Sequence, residues 1–188
     1  MKIGILALQG AIQEHKVMLE KCNVIPVEIR SSKDMEDIQG LIIPGGESTT
    51  IGKLMKKYEI DKEIKKLKLP IYGTCAGIVL LSKEIIDMKQ KSLGLMDISI
   101  KRNAYGRQID SFEADLDIKG LKKPFKGVFI RAPVIESFHN GVEILSEFNN
   151  KPVLVRQDNI LASTFHPELT DDTRIHEYFV GMVKKWDS

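Results

Sequence analysis

The sequence predicts a doubly wound α/β fold with a mainly parallel central sheet. Three observations carry that expectation. Short apolar runs recur without strict alternation (Lys2 to Leu8, Gly40 to Pro44, Pro70 to Gly73, Ile160 to Phe165), as strands covered on both faces require. Segments with helical spacing lie between the early runs, which is the rhythm of βαβ units. Gly45-Gly46 and the Gly73/Gly77 pair fall at the carboxyl ends of two of these runs, where open α/β sheets place their sites.

The elements follow in order. Lys2 to Leu8 reads as a central strand, and Ala11 to Cys22, with Ile12, Val17, Met18 and Leu19 at helical spacing, as the helix after it. Val24 to Ile29 is the next strand and Gly40 to Pro44 a third. Ser48 to Tyr58 reads as a helix whose hydroxyl residues cap its start. Pro70 to Gly73 is a buried strand, with a helix beginning near Ala76. The middle of the chain changes character: Asp97 to Arg102, Ser111 to Ile118 and Gly127 to Arg131 are short strand-like runs flanking the main sheet. Gly141 to Leu145 and Pro152 to Arg156 form a hairpin-rich return, and Ile160 to Phe165 is the last strand. Thr170 to Trp186 is the closing helix, with Ile175, Tyr178, Phe179, Met182 and Val183 on one face. No repeat, low-complexity tract or linker divides residues 1–188, so one domain is expected.

Composition narrows the function. The chain has 188 residues, of which 43% are hydrophobic and 29% charged, with a net charge of +2. Those values fit an ordinary soluble globular protein, and the lysines are interspersed with acids, so no basic face for nucleic acid is expected. The apolar start ends at Gln9, too short for a signal peptide or a membrane span, and a cytoplasmic protein is expected. The two cysteines, Cys22 and Cys75, are expected to be free thiols, and no His/Cys spacing points to a metal.

Chemistry concentrates at Gly73-Thr74-Cys75-Ala76-Gly77. This is the G-x-nucleophile-x-G elbow with cysteine in the nucleophile slot. A strand turning sharply into a helix strains the corner residue, and flanking glycines let the chains pass closely. The helix N-terminus favours thiolate over thiol. A cysteine between apolar residues also reads as a small buried hydrophobe. A thiol-based redox or binding module and a cysteine peptidase share the elbow. Of the four histidines, His15 and His176 lie within helices and His139 in a turn; His166 alone directly follows a buried strand. Pro167 stiffens the link to Glu168, whose carboxylate can fix the imidazole tautomer. Oxyanion donors are expected from the Ala76 N–H, which opens a helix, and from Gly45-Gly46. There is no G-K-[ST] and no G-x-G-x-x-G, so a nucleotide cradle is disfavoured.

Pro44-Gly45-Gly46-Glu47-Ser48-Thr49, Gly73 to Gly77 and Phe165-His166-Pro167-Glu168, in this order, resemble the class I (triad) glutamine amidotransferases. Leu8 to Ala11, Arg102 to Gln108, Asp110 to Asp115 and Phe129 to Pro133 are similar to the glutaminase subunits of pyridoxal 5′-phosphate synthases. The resemblance spans nearly the whole chain. It implies a flavodoxin-like three-layer sandwich and hydrolysis of L-glutamine, with Cys75 as nucleophile, His166 as base and Glu168 orienting it. It also implies Gly46 and Ala76 as oxyanion donors, and glutamine contacts from Gly45, Gly46, Glu47, Arg102, Ile130 and Arg131. No cofactor is implied. The implied partner is a separate barrel-type synthase subunit, and the α/β domain uses up the chain, leaving no room for the acceptor chemistry. Gln9, Gly10 and His15 are expected to face that partner.

Overall fold

The computed structural model describes residues 1–102, 111–139 and 141–186. The first half alternates strand and helix: β1 (Lys2–Leu6), α1 (Ile12–Lys21), β2 (Ile25–Ile29), β3 (Gly40–Ile43), α2 (Ser48–Lys57), α3 (Ile60–Leu67), β4 (Ile71–Thr74) and α4 (Ala76–Leu81). Strands then dominate: β5 (Ser82–Ile85), β6 (Met96–Lys101), β7 (Ser111–Leu116), β8 (Phe125–Ile130), β9 (Val134–Phe138), β10 (Glu143–Phe148), β11 (Lys151–Gln157) and β12 (Ile160–Ser163), before α5 (Arg174–Trp186).

The main sheet runs β10-β11-β12-β4-β3-β1-β2. Its five strands from β12 to β2 are parallel, and β10 and β11 add an antiparallel hairpin at one edge. Alternation inside the buried strands divides them between two cores. Leu41 and Ile43 point to one face with Ile51, Met55, Ile60, Ile64 and α4; Ile42 and Tyr72 point to the other with Leu19, Ile175, Phe179 and Val183. Helices α2, α3 and α4 therefore cover one face, and α1 and α5 the other. Each fully buried Ile, Leu or Phe contributes about 1.5–3 kcal/mol. The small β5-β6-β9 sheet packs on the first core through Met96, Ile98, Ile100 and Ile135, and the β7-β8 pair on the second through Leu116, Phe125 and Phe129.

The doubly wound, mainly parallel architecture is the expected one, but several elements differ in detail. Helix α3 lies in a stretch with no expected element; Ile60, Ile64 and Leu67 repeat at helical spacing among Asp61, Lys62, Glu63, Lys65 and Lys66, and Glu59 and Lys68 bracket it in left-handed conformation. Strands β5 and β9 are likewise additions to the expected elements. The closing helix starts at Arg174, not Thr170, because Pro167–Leu169 forms a 3-10 turn and the Asp172 carboxylate accepts the Arg174 N–H at 3.1 Å. Glu47, not a hydroxyl residue, caps α2: its carboxylate accepts the Thr49 and Thr50 N–H groups at 3.0 and 2.7 Å. The segment 103–110, which carries part of the family resemblance, lies outside the described residues, as does Asn140.

Candidate active site

Strand β4 delivers its last residue to the carboxyl edge of the sheet, and the chain reverses there into α4. Cys75 occupies the corner with φ 49° and ψ −99°, a conformation that costs a non-glycine residue of order 1–3 kcal/mol and needs outside support. Neighbouring β12 supplies some of it, since the Cys75 N–H donates to Ser163 O at 2.9 Å. The flanking glycines are steric requirements. A Cβ at Gly77 would sit 2.1 Å from Ile43 O, and one at Gly73 would sit 2.5 Å from Leu81 Cδ1 and 2.8 Å from Gly77 C. The Cys75 thiol is half-buried and faces Ile130 O at 3.9 Å.

His166 arrives on the same edge from β12. Its backbone N–H donates to Val128 O at 2.8 Å, tying the β12 exit to β8. Its Nδ1 lies 2.7 Å from Glu168 Oε1, and both side chains are buried. A carboxylate on Nδ1 places the ring proton there and turns Nε2 toward its other neighbour, the thiol. Burial alone would lower the His166 pKa, but the hydrogen bonds to Cys75 and Glu168 and the charges of both hold it up at about 10. For Glu168, burial pushes upward, and the His15 and His166 imidazoles more than offset it, so the carboxyl stays below its ordinary range. The arrangement holds a proton on His166 between the Cys75 sulfur and the Glu168 carboxylate, and an imidazolium is the partner a thiolate nucleophile needs.

The turn after β3 closes the back of the site. A Cβ at Gly45 would lie 2.3 Å from His166 Cε1 and 3.3 Å from Cys75 Cβ, so this backbone is pressed against both side chains. The Gly45 N–H donates to Thr74 Oγ1 at 3.0 Å, and Gly45 O accepts the Ala11 N–H at 3.1 Å. In a trans peptide the next N–H points opposite to that carbonyl, so the Ala11 contact fixes the direction of the Gly46 N–H. Ala76 opens α4, and its N–H is one of the first-turn donors with no intrahelical acceptor.

A cavity of about 320 Å³ opens over Cys75, lined among others by Gly46, Glu47, Arg102, Ile130, Arg131 and His166. Gln9 and Ala76 also line it. Of the expected glutamine contacts, Gly45 does not line it; it is buried behind His166 with its amide and carbonyl already committed. Arg102 is held in place by Glu47 Oε1 at 3.2 Å and by Thr49 Oγ1 and Gln90 Oε1, both at 3.1 Å. Although burial raises the Glu47 carboxyl, hydrogen bonds from Thr50 and Thr49 hold it at about 2. Arg131 is exposed on the cavity rim, with φ 42°. Gln90, Thr74 and His176 do not stand out in the sequence, because their contacts join residues far apart in the chain. Among the described residues no His, Cys, Asp and Glu side chains cluster in a metal-holding arrangement.

One expectation is overturned. His15 cannot face a partner, because its side chain is fully buried beneath Glu168: Nδ1 lies 2.9 Å from His176 Nε2, and Nε2 3.2 Å from Thr74 Oγ1. Gln9 is partly committed too, its Oε1 accepting the Glu47 N–H at 2.7 Å. Gly10 is exposed, but a Cβ there would overlap Gly45 O at 1.8 Å.

Residues 5–185 match the model of the SNO glutamine amidotransferase family. A pyridoxal 5′-phosphate synthase subunit PdxT from Thermosipho africanus is 51% identical, the alignment covering 98% of this chain and all of the relative. The PdxT of Kosmotoga olearia is 54% identical over 97% of this chain and 98% of its own length. A crystal structure of a glutamine amidotransferase superposes with a TM-score of 0.93 at 48% identity, covering 97% of this chain and 98% of that one. A glutamine amidotransferase from Thermotoga maritima, 13% identical over the whole of this chain and 85% of its own, shares the fold with a TM-score of 0.63. The chain belongs to the SNO glutamine amidotransferase family.

Proposed function

We propose that this chain is the glutaminase subunit of a pyridoxal 5′-phosphate synthase. It hydrolyses L-glutamine to L-glutamate and ammonia, and the ammonia passes to a separate barrel-type synthase subunit that makes pyridoxal 5′-phosphate from a pentose phosphate and a triose phosphate. Family membership and the near full-length PdxT relatives support the assignment. The observation that carries the chemistry is the strained Cys75 elbow beside the buried His166–Glu168 pair, at the floor of a cavity walled by two arginines.

The residues then take these roles. The Cys75 thiolate attacks the side-chain amide carbon of glutamine. Negative charge moves to the carbonyl oxygen, where the Gly46 and Ala76 N–H groups stabilise it. The His166 imidazolium gives its proton to the departing nitrogen, and ammonia leaves behind a thioester on Cys75. The now neutral His166 takes a proton from water, the resulting hydroxide attacks the thioester, and glutamate departs as the thiolate reforms. Glu168 keeps His166 in the one tautomer that serves both steps. Arg102 and Arg131 bind the α-carboxylate of glutamine, and Gly46, Glu47 and Ile130 shape its surroundings. Gly45 acts from behind, by position rather than contact.

We read residues 1–188 as one glutaminase domain working in the cytoplasm, without cofactor, metal or nucleic acid. Among the described residues no helix is long and apolar enough to cross a membrane. The test is glutamate release from glutamine, with and without the synthase partner, for the wild type and Cys75→Ala. Hydrolysis that the partner stimulates and that Cys75→Ala loses is the expected result. Equal rates in the two proteins would remove Cys75 as the nucleophile.

A further inference from the structure

Behind the triad lies a buried polar cluster that the mechanism above leaves unused. Helix α1 contributes His15, β4 contributes Thr74, and α5 contributes His176; both histidines have no exposed surface. Glu168 spends Oε1 on His166 at 2.7 Å. Its Oε2 is buried and has no hydrogen-bond partner among the described residues, yet His15 Nε2 stands 3.6 Å away. The same Nε2 lies 3.2 Å from Thr74 Oγ1, the atom that accepts the Gly45 N–H at 3.0 Å. His15 therefore sits between the triad carboxylate and the turn that carries the Gly46 donor.

The tautomers can be assigned from the surroundings. His176 Nε2 faces His15 Nδ1 at 2.9 Å, and His176 Nδ1 has no partner among the described residues. If His15 carried its proton on Nδ1, it would turn a lone pair toward Glu168 and leave His176 with an orphaned buried N–H. If His176 donates from Nε2 to His15 Nδ1, the His15 proton resides on Nε2 and points at Thr74 and Glu168. That leaves the Thr74 O–H and the His176 Nδ1 lone pair without partners, whereas the other arrangement leaves a buried His176 N–H and sets a lone pair against the Glu168 carboxylate; an N–H facing the carboxylate decides between them. Burial lowers the pKa of both rings, and His176 falls to about 3. In either protonation state His15 then turns an Nε2–H, not a lone pair, toward Glu168.

Taking Cys75, His166 and Glu168 in the roles given above, we propose that His15, oriented by His176, is a positioning residue for glutamine hydrolysis: its Nε2–H anchors the second oxygen of Glu168 and, through Thr74, the Gly45-Gly46 turn. The carboxylate and an oxyanion donor are thereby set by one imidazole. Helix α1 holds the same turn a second time through the Ala11 N–H on Gly45 O. A separation of 3.6 Å in the free site shortens to a hydrogen bond with a shift of a few tenths of an ångström, as catalytic contacts do when substrate is bound.

The test compares His15→Phe, His15→Gln and His15→Asn in the presence of the synthase partner. Phe keeps the ring volume and removes the donor. The Gln amide reaches the Nε2 position, and the Asn amide reaches only the Nδ1 position. Expected are a fall in kcat of about 10- to 100-fold for Phe and Asn, the scale of a lost hydrogen bond to a charged group, with KM for glutamine little changed, and recovery of most of kcat in Gln. The acid limb of kcat should move upward by about one pH unit in Phe and Asn, because Glu168 and with it His166 lose support. The groups facing His15 are Glu168, His166, His176 and Tyr72, with Glu14 beside it on α1, and no other titration is needed to explain that limb. If Phe does not fold, Gln against Asn still decides. Equal kcat and an unmoved limb in Gln and Asn, or thermal destabilisation of all variants with kcat intact, would overturn the positioning role. Glu168→Gln is the control: if it leaves activity unchanged, the triad roles fail; if it abolishes activity while folded His15 variants match wild type, only the His15 inference fails.

Discussion

Gly45→Ala tests whether the site depends on backbone pressed directly against the triad. The added Cβ would lie 2.3 Å from His166 Cε1 and 3.0 Å from Nδ1, where ordinary contact begins at 3.4 Å. The ring must therefore retreat by about 1 Å, or the turn must move away from it by as much. The ring is the softer of the two, because the turn is held by Thr74 Oγ1 and the Ala11 N–H. A retreat of that size opens the 2.7 Å bond to Glu168 and misaims Nε2 at Cys75. Misplacement by 1 Å costs on the order of 100-fold in rate, while strain from overpacking costs about 1–3 kcal/mol of stability. The expected variant is folded, binds glutamine and hydrolyses it about 100-fold more slowly. Glutamate release in the presence of the synthase partner, beside a thermal melt, measures both quantities. A folded Gly45→Ala within about threefold of wild type would refute the claim that the turn fixes His166.

Gly77→Ala should fail differently: its Cβ would sit 2.1 Å from the backbone oxygen of Ile43, which no side-chain rotation relieves, so loss of folded protein in a thermal melt is expected rather than a specific rate defect. Arg102→Lys removes the fork that Glu47, Thr49 and Gln90 aim, and should raise KM for glutamine about tenfold with kcat nearly intact; steady-state kinetics separate the two. The His166 pKa is raised from 6.5 to about 10, so the folded state holds this proton more tightly than the unfolded chain. Its contribution to stability is complete below about pH 6.5 and is lost as pH rises through about 10, and melting temperature should decline across that window in wild type but much less in His166→Phe. Glu168 has the opposite sign: its lowered pKa contributes stability above its ordinary range that is lost as pH falls through the folded value, and Glu168→Gln should flatten the acid side.

What the sequence makes legible is what short-range chemistry determines. The elbow can be read because Gly73 and Gly77 stand at fixed offsets from Cys75; Gly73 is required by contacts inside the strand-to-helix corner and Gly77 by the Ile43 carbonyl of adjacent β3. His166 can be picked out because it follows a buried strand, and Glu168 because a proline ties it two residues away. Helix α3 is legible in principle from Ile60, Ile64 and Leu67, but its charged intervening residues hide the stripe. The start of α5 misleads because Thr170 and Asp171 look like a cap, and the Asp172–Arg174 pairing that sets the true start depends on Arg174 also reaching the Lys123 and Pro124 carbonyls.

His15 misleads for a different reason. Its spacing from Ile12, Met18 and Leu19 puts it on the inward face of α1, but a histidine there does not by itself show what it pairs with. Its partners, Thr74, Glu168 and His176, come from three separate regions, and only the parallel order β12-β4-β3-β1 brings them together under α1. The site accordingly has two layers of different legibility. The reacting layer sits at strand ends and announces itself by glycines and motif spacing. The supporting layer lies on the inner faces of helices, where a polar residue costs several kcal/mol unless its partners are already in place. Two buried histidines of that kind directly behind the Glu168 carboxylate are costly fillers for a core that Leu or Phe would pack at less expense, and that cost is the physical reason to assign them a part in holding Glu168.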